Sequence, residues 1–291
     1  MKLCVLLISA IFLVSGVCHA KSAGGRGGGS GGRQQGSAAR QNPVSQALSP
    51  AEEAAKSILD AMASRLDSAE GIQFDASISY PTGTATDIGL KKVTASITIE
   101  RDTKLLIQTT NGGQPQDVLC SSGALFTVYD APSNTYVRIT TSPDITSLGQ
   151  ALQLGGKQVF PKQTPTSQDL TYALGFPMIF LGKNYDDTSV ENGYSLTYSS
   201  QNGSLSDGRS VVFMTQTLYS ATQGSIAATY AIDSRTGLPL SFTQTQTSLS
   251  GEKTTDISET FTNLKLLTSA LPDSTYTYSP PSGATPVKVV Q

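Results

Sequence analysis

Apolar residues recur along this chain with two different periods, and the change from one to the other divides it. Over residues 49–69, Ala55, Ile58, Leu59, Met62, Leu66 and Ala69 fall on one stripe at helical spacing. Ser49 is placed to cap that helix, Pro50 suits its first position, and Glu52 completes a capping box. From Gly71 the period drops to two. In GIQFDASISY, Ile72, Phe74, Ala76, Ile78 and Tyr80 take one side, and Gln73, Asp75, Ser77 and Ser79 the other. KKVTASITIE repeats the alternation, with Val93, Ala95, Ile97 and Ile99 against Thr94, Ser96, Thr98 and Glu100. Such alternation predicts an antiparallel sheet with one apolar and one wetted face. Further strand signals lie near 103–110, 123–129, 134–140, 193–200, 208–219, 224–233, 238–249 and 253–265, and QDVLC, ending at Cys120, reads as another strand segment. Clusters such as DAPSN, QNGSLSDG and DSRTG supply the turns. The sequon letters Asn202-Gly203-Ser204 read more strongly as a hairpin turn than as a glycosylation site.

Residues 142–183 break the rhythm with helical spacing and two new Ser/Thr starts. The expected order is therefore a helix, about six strands, a helical insert and about five strands, with no repeat of solenoid length.

The two ends of the pattern lie outside any core. Residues 1–20, MKLCVLLISAIFLVSGVCHA, have a basic start, an apolar run and a small-residue ending, which predicts a secretory signal peptide cleaved after Ala20. The competing reading is a lipid anchor at Cys18, against which stands the bulky Val17 before it. No other segment is long and apolar enough to predict a membrane span. Residues 21–48 are rich in Gly, Ser and Arg and predict a flexible linker, with a reach of roughly 30 Å. They carry Lys21, Arg26, Arg33 and Arg40 and no acid, whereas residues 49–291 hold 15 Lys and Arg against 22 Asp and Glu, a formal charge of −7. A basic tail on an acidic body suits a soluble tether or contact with an anionic envelope surface, and the acidic domain argues against nucleic acid.

Maturation narrows the chemistry. Cleavage after Ala20 removes Cys4, Cys18 and His19, leaving Cys120 as the lone cysteine and no histidine. An imidazole-dependent nucleophile has no base, an internal disulfide has no partner, and zinc sites built on His or four Cys are excluded. Cys120 reads as a buried apolar residue. The acids lie mostly at turns (Asp87, Asp102, Asp130, Asp207, Asp233), and Asp186-Asp187 lacks the alternate spacing of a calcium loop. No metal or cofactor is expected, and no enzyme. The most suggestive stretch is LGFPMIFLG (174–182), where Phe176, Met178, Ile179, Phe180 and Leu181 surround Pro177. It reads either as ordinary core or as a lid whose apolar side covers a greasy cavity.

Over residues 50–291 the chain resembles the LolA/LppX-type periplasmic lipoprotein-carrier superfamily, and within it the predicted periplasmic proteins of undefined function. The likeness rests on the leading amphipathic helix, then on ITIERDTKLLI, SSGALFTVYDAPSNTYV, AIDSRTGLPLSF and the closing YTYSPPSGATPVKVV, in that order and spacing. The resemblance implies an α+β fold: a strongly curved antiparallel sheet, an incomplete barrel, with an N-terminal helix and a helical lid over its concave face. Arg101 matches the lid-linked arginine of the family carrier, although Asp102 follows it where the carrier has proline, and the family's tryptophans are absent. Pro280 and Pro281 would end strand pairing and turn the chain along an edge.

The function expected is a non-enzymatic periplasmic binder or carrier of an acyl chain, a lipid or a lipidated protein. The candidate lining residues are Phe74, Ile78, Ile97, Phe126, Phe176, Met178, Phe180, Tyr230 and Phe242. The alternative is an envelope sensor or scaffold that binds a protein partner through the same fold.

Overall fold

The first helix forms where its cap residues place it. In a computed structural model, which describes residues 48–84, 87–100, 104–123, 125–140, 170, 173, 194–222 and 224–287, α1 spans Pro50–Asp67. Ser49 is extended, its hydroxyl accepts from the Glu52 N–H at 3.3 Å, and the Glu52 carboxylate accepts from the Ser49 N–H at 2.9 Å. Two orphan N–H groups are thus satisfied reciprocally, a cap whose loss costs about 1 kcal/mol. The stripe Ala55, Leu59, Met62 and Leu66 is buried, together with Ala63.

The alternating segments pair into one sheet. Its first six strands are β1 (Gly71–Thr84), β2 (Asp87–Glu100), β3 (Lys104–Asn111), β4 (Gln114–Ser122), β5 (Leu125–Asp130) and β6 (Thr135–Thr140). Then come β7 (Tyr194–Ser204), β8 (Ser210–Ser220), β9 (Gly224–Asp233), β10 (Pro239–Thr247) and β11 (Lys253–Leu267), a 3-10 turn (Asp273–Tyr276), and the short β12 (Thr285–Pro286). The sheet order is β12-β6-β5-β4-β3-β2-β1-β11-β10-β9-β8-β7. Two meanders therefore meet where β1 pairs with β11, and every pair is antiparallel except β12 with β6. The hairpin expected at Asn202–Ser204 turns slightly later. Those residues still pair in β7, and the chain reverses over Leu205–Gly208, where Gly208 takes φ 83°.

The sheet is strongly curved and does not close, leaving β7 and β12 as its edges. A local cause of bending sits in β11. There the register to β1 skips a residue between the Gln73 and Asp75 pairings, and Asn263 adopts φ 55° while its amide donates to the Asp75 carboxylate at 2.8 Å. An extra residue on one strand of a pair bends it and increases its twist. Similar register breaks occur between β3 and β4, β9 and β10, and β10 and β11.

The inner face carries the core. Ile72, Phe74, Ala76, Ile78 and Tyr80 of β1, Val93, Ala95, Ile97 and Ile99 of β2, and their counterparts across the sheet join one apolar cluster with the α1 stripe. The helix packs at one end of this face, against β7 and β8. The outer face is polar, with cross-strand hydroxyl pairs such as Thr94–Thr110 at 2.6 Å and Thr215–Thr229 at 2.8 Å.

Over β3 to β6 that outer face is covered by the C-terminal segment. Glu100 accepts from the Leu271 N–H, Lys104 bridges to Asp273 at 2.7 Å, and Cys120 donates to the Tyr276 carbonyl at 2.9 Å. Tyr278 packs on Tyr129, Asn134 donates to Gly283 O at 3.1 Å, and β12 then pairs with Thr135 and Tyr136. The double proline thus lies between the 3-10 turn and β12, and the chain beyond it runs along the β6 edge.

The expected leader at 1–20, the linker at 21–48 up to residue 47, Arg101 and the whole of 174–182 lie outside the described residues. The helical lid expected over 142–183 is likewise not shown. Leu170 and Ala173 are the insert's described residues, both helical and both buried in the inner-face cluster.

Candidate ligand-binding face

Cross-strand register decides which side chains share the inner face. Phe74 stands opposite Ile97 on β2. Ile78 stands opposite Glu259 on β11, Glu259 opposite Phe242 on β10, and Phe242 opposite Tyr230 on β9. Tyr230 in turn faces Met214 on β8. Six of the nine lining residues expected from the sequence, Phe74, Ile78, Ile97, Phe126, Tyr230 and Phe242, are buried in the same cluster. The rings of Tyr230 and Phe242 lie 5.2 Å apart and those of Phe74 and Phe261 5.5 Å apart. Phe176, Met178 and Phe180 fall outside the described residues, as does Arg101.

Polar residues interrupt this face over β3 to β5, where Thr109, Asp117, Ser121 and Asp130 are buried, and again over β8 to β11, where sequence reasoning missed three of them. Gln244 stands opposite Ile257 on one side and Ala228 on the other, and Gln216 also stands opposite Ala228. Gln216, Tyr230, Gln244 and Glu259 are all buried, none more than 2% exposed. The signal was present in the alternation. Glu259 lies between Ile257 and Phe261 in the inward phase of β11, Gln216 between Met214 and Leu218 in β8, and Gln244 follows Phe242 in β10.

These groups are poorly provided for. Gln216 Oε1, Tyr230 Oη and Gln244 Nε2 are buried without a hydrogen-bond partner. Glu259 has no hydrogen bond or ion pair to a described residue. Burial pushes its carboxyl up to about 8, and burial together with the Glu259 charge pushes the Tyr230 phenol up as well. Burial thus favours the neutral carboxylic acid at Glu259, a form able to donate as well as accept. A buried polar group left unpaired costs roughly 1–3 kcal/mol, and three such atoms lie on adjacent strands here.

A surface dent is lined by Arg209, Ser210, Asp233, Ser234 and Arg235, and two of its charged side chains have local partners. Arg209 pairs with Asp207 at 2.7 Å, and Asp233 accepts from the Arg235 and Thr236 N–H groups, both at 2.8 Å. Among the described residues no cluster of His, Cys, Asp and Glu has the makings of a metal site, and no helix is long and apolar enough to cross a membrane. Cys120 lies buried on the opposite face, and burial raises its thiol to about 11.

With the curved sheet and its inner face in view, comparison with known proteins places the first half of the domain. Residues 55–163 match a family described as predicted periplasmic protein (DUF2092). The DUF2092 match begins at the buried Ala55 of α1 and includes Phe74, Ile78, Ile97 and Phe126. Tyr230, Phe242 and the three further polar residues lie beyond it. No curated protein matches the chain.

Several solved structures are similar in fold. An uncharacterized conserved protein from Thermus thermophilus is 10% identical at a TM-score of 0.40, with 80% of this chain and 98% of that one covered. The lipoprotein LppX from Mycobacterium tuberculosis is also 10% identical at a TM-score of 0.40, covering 73% of this chain and 96% of that one. The MucA/MucB complex from Pseudomonas aeruginosa matches at 14% identity and a TM-score of 0.31. It covers 78% of this chain, which spans 61% of the matched one. Likenesses this distant say nothing about what the chain binds.

Proposed function

We propose that this chain is a non-enzymatic periplasmic protein that binds or carries a hydrophobic ligand: an acyl chain, a lipid or a lipidated protein. The observation that carries this reading is the extent of the apolar inner face relative to the helix that covers it. The eleven strands β1 to β11, about 4.8 Å apart, present a face roughly 50 Å across its arc, whereas an 18-residue helix is about 27 Å long and 10 Å wide. α1 sits at the β7–β8 end, so the span from β1 to β6 needs another cover. The insert at 142–183 is the available segment, and we read it as a lid. The burial of Leu170 and Ala173 in the inner-face cluster supports this reading. The periplasmic description of the matched family supports export; the leader cleaved after Ala20, the tether to residue 48 and the domain from 49 are part of the proposal. The absence of a mature histidine and the burial of Cys120 support a role without nucleophilic catalysis.

The test is binding of the neutral apolar fluorophore N-phenyl-1-naphthylamine to the full mature chain, beside thermal unfolding, for wild type and for Phe180→Glu or Met178→Glu. A lid side chain is only partly committed to the core. The variant should therefore lose probe binding with a small change in Tm. A collapse in Tm together with binding would make LGFPMIFLG ordinary core and remove the lid. A stable protein complex in place of probe binding would favour the scaffold reading.

A further inference from the structure

A zigzag of buried polar residues crosses the inner face from β11 to β8. Glu259 and Gln244 occupy adjacent strands one pair apart, as do Gln244 and Tyr230, and then Tyr230 and Gln216. Each step is a diagonal neighbour at about 7–8 Å, and three inter-strand spacings give the row a length of roughly 14 Å. Around it stand Ile257, Phe242, Ala228 and Met214, all buried. The row offers an unpaired amide nitrogen on Gln244, an unpaired amide oxygen on Gln216 and the Tyr230 hydroxyl between them.

We infer that this zigzag row holds the head group of an amphipathic ligand, and that the head group is neutral and both donates and accepts hydrogen bonds, as a hydroxyl or an amide does. The inference rests on the proposed apolar-ligand reading and specifies its polar end. Three observations select the class. First, the orphan atoms include both donors and acceptors, which a hydroxyl or amide satisfies and a bare hydrocarbon does not. Second, no Lys or Arg is buried among the described residues, so an anionic head group would enter without a counter-charge. Third, three of the four row members are uncharged by nature, and the fourth lies in surroundings that disfavour its anion. The aliphatic part of the ligand would then lie on the neighbouring apolar positions, Ile78 and Phe74 among them.

The experiment is displacement of N-phenyl-1-naphthylamine from the full mature chain at pH 7 by 1-monolauroylglycerol, laurate and dodecylamine, each below its aggregation concentration. The expected result is that monolauroylglycerol displaces the probe at a concentration at least tenfold below laurate. That preference should shrink to within about threefold in Gln216→Leu/Gln244→Leu, while the probe still binds. Apolar replacements at buried unpaired sites are tolerated, so this double variant should fold. Tyr230→Phe, which removes one hydroxyl atom only, is the check should it not fold, and it should lose part of the same preference. Equal displacement by both acyl probes, or a preference that survives in these variants, overturns the head-group assignment and leaves the carrier reading standing. Dodecylamine displacing best overturns it in favour of Glu259 as a carboxylate counter-ion. Wild-type protein that binds no probe removes both readings together.

Discussion

Two glutamates are buried to nearly the same depth in this sheet, Glu100 at 3% exposure and Glu259 at 2%, and their surroundings differ in kind. Glu100 lies on the outer face beneath the C-terminal segment. It accepts from the Leu271 N–H and stands 3.7 Å from Lys104, which itself binds Asp273. Glu259 lies on the inner face among Phe242, Ile78 and Tyr230, with no described partner and its carboxyl raised to about 8. The first carboxylate is structural, because residues near the C-terminus satisfy it. The second lies where nothing in the described chain completes its hydrogen bonding. The proposed binding reading takes that difference as the mark of a surface that a ligand completes.

The comparison breaks first on the outer face. Tyr276 is 1% exposed and roofs Cys120 and Lys104, so Tyr276→Ala should destabilise the domain by about 3–5 kcal/mol, as deletion of a buried aromatic ring does. Chemical denaturation measures it. A loss under about 1 kcal/mol would mean that the C-terminal segment decorates the sheet without closing it.

The glutamates then respond differently to substitution. Glu100→Ala leaves the Leu271 N–H without its acceptor and Lys104 with Asp273 alone, and should cost about 2–3 kcal/mol. Glu259→Gln should be nearly neutral at pH 5 and should change the pH dependence instead. The unfolded chain loses the Glu259 proton near 4.5, whereas the folded chain holds it to about 8. The contribution of Glu259 to stability is therefore full below pH 4.5, falls as pH rises through the interval, and is flat above 8. The slope is of the order of 1 kcal/mol per pH unit. Subtracting the Glu259→Gln curve from that of wild type should isolate this fall. A difference that is flat over this window and rises with pH only below 4.5 would place a cation beside Glu259 and dissolve the contrast.

Cys120→Ser should show the smallest effect, within about 1 kcal/mol, because serine can keep the donation to the Tyr276 carbonyl. The wild-type thiol should react slowly with disulfide reagents until the domain unfolds, since burial both hides it and raises it to about 11. Rapid labelling of the folded protein would show that the cover over β4 opens readily.

Much of the architecture was legible because it is local. The Ser49 and Glu52 cap, the stripe of α1 and the alternation in β1 and β2 each lie within about fifteen residues, and the strands formed where the period of two predicted them. The six lining residues that the structure describes came from facing together with the family resemblance. Other features depended on register between distant strands. Whether Glu259 points inward is settled by its pairing with Phe242 and Ile78, the latter 181 positions away in sequence. The row of Gln216, Tyr230, Gln244 and Glu259 exists only once β8 to β11 are aligned, although each polar residue in an apolar phase was a visible irregularity. The cover of the outer face was legible in outline alone. The double proline announced a departure from pairing, but the contacts from Leu271 to Glu100 and from Tyr276 to Cys120 span more than 150 residues.

The most direct test of the account is native mass spectrometry of the mature protein purified from its own cell envelope without detergent exchange. The inner face, read as a binding surface, predicts a population carrying one apolar molecule of lipid mass that is released on gentle activation. That population should fall sharply in Phe242→Ala, which removes a ring from the centre of the face while leaving Glu100 and the C-terminal cover untouched. Bare protein in every preparation, with Phe242→Ala changing stability alone, would mean that the inner face is a filled core and not a ligand site.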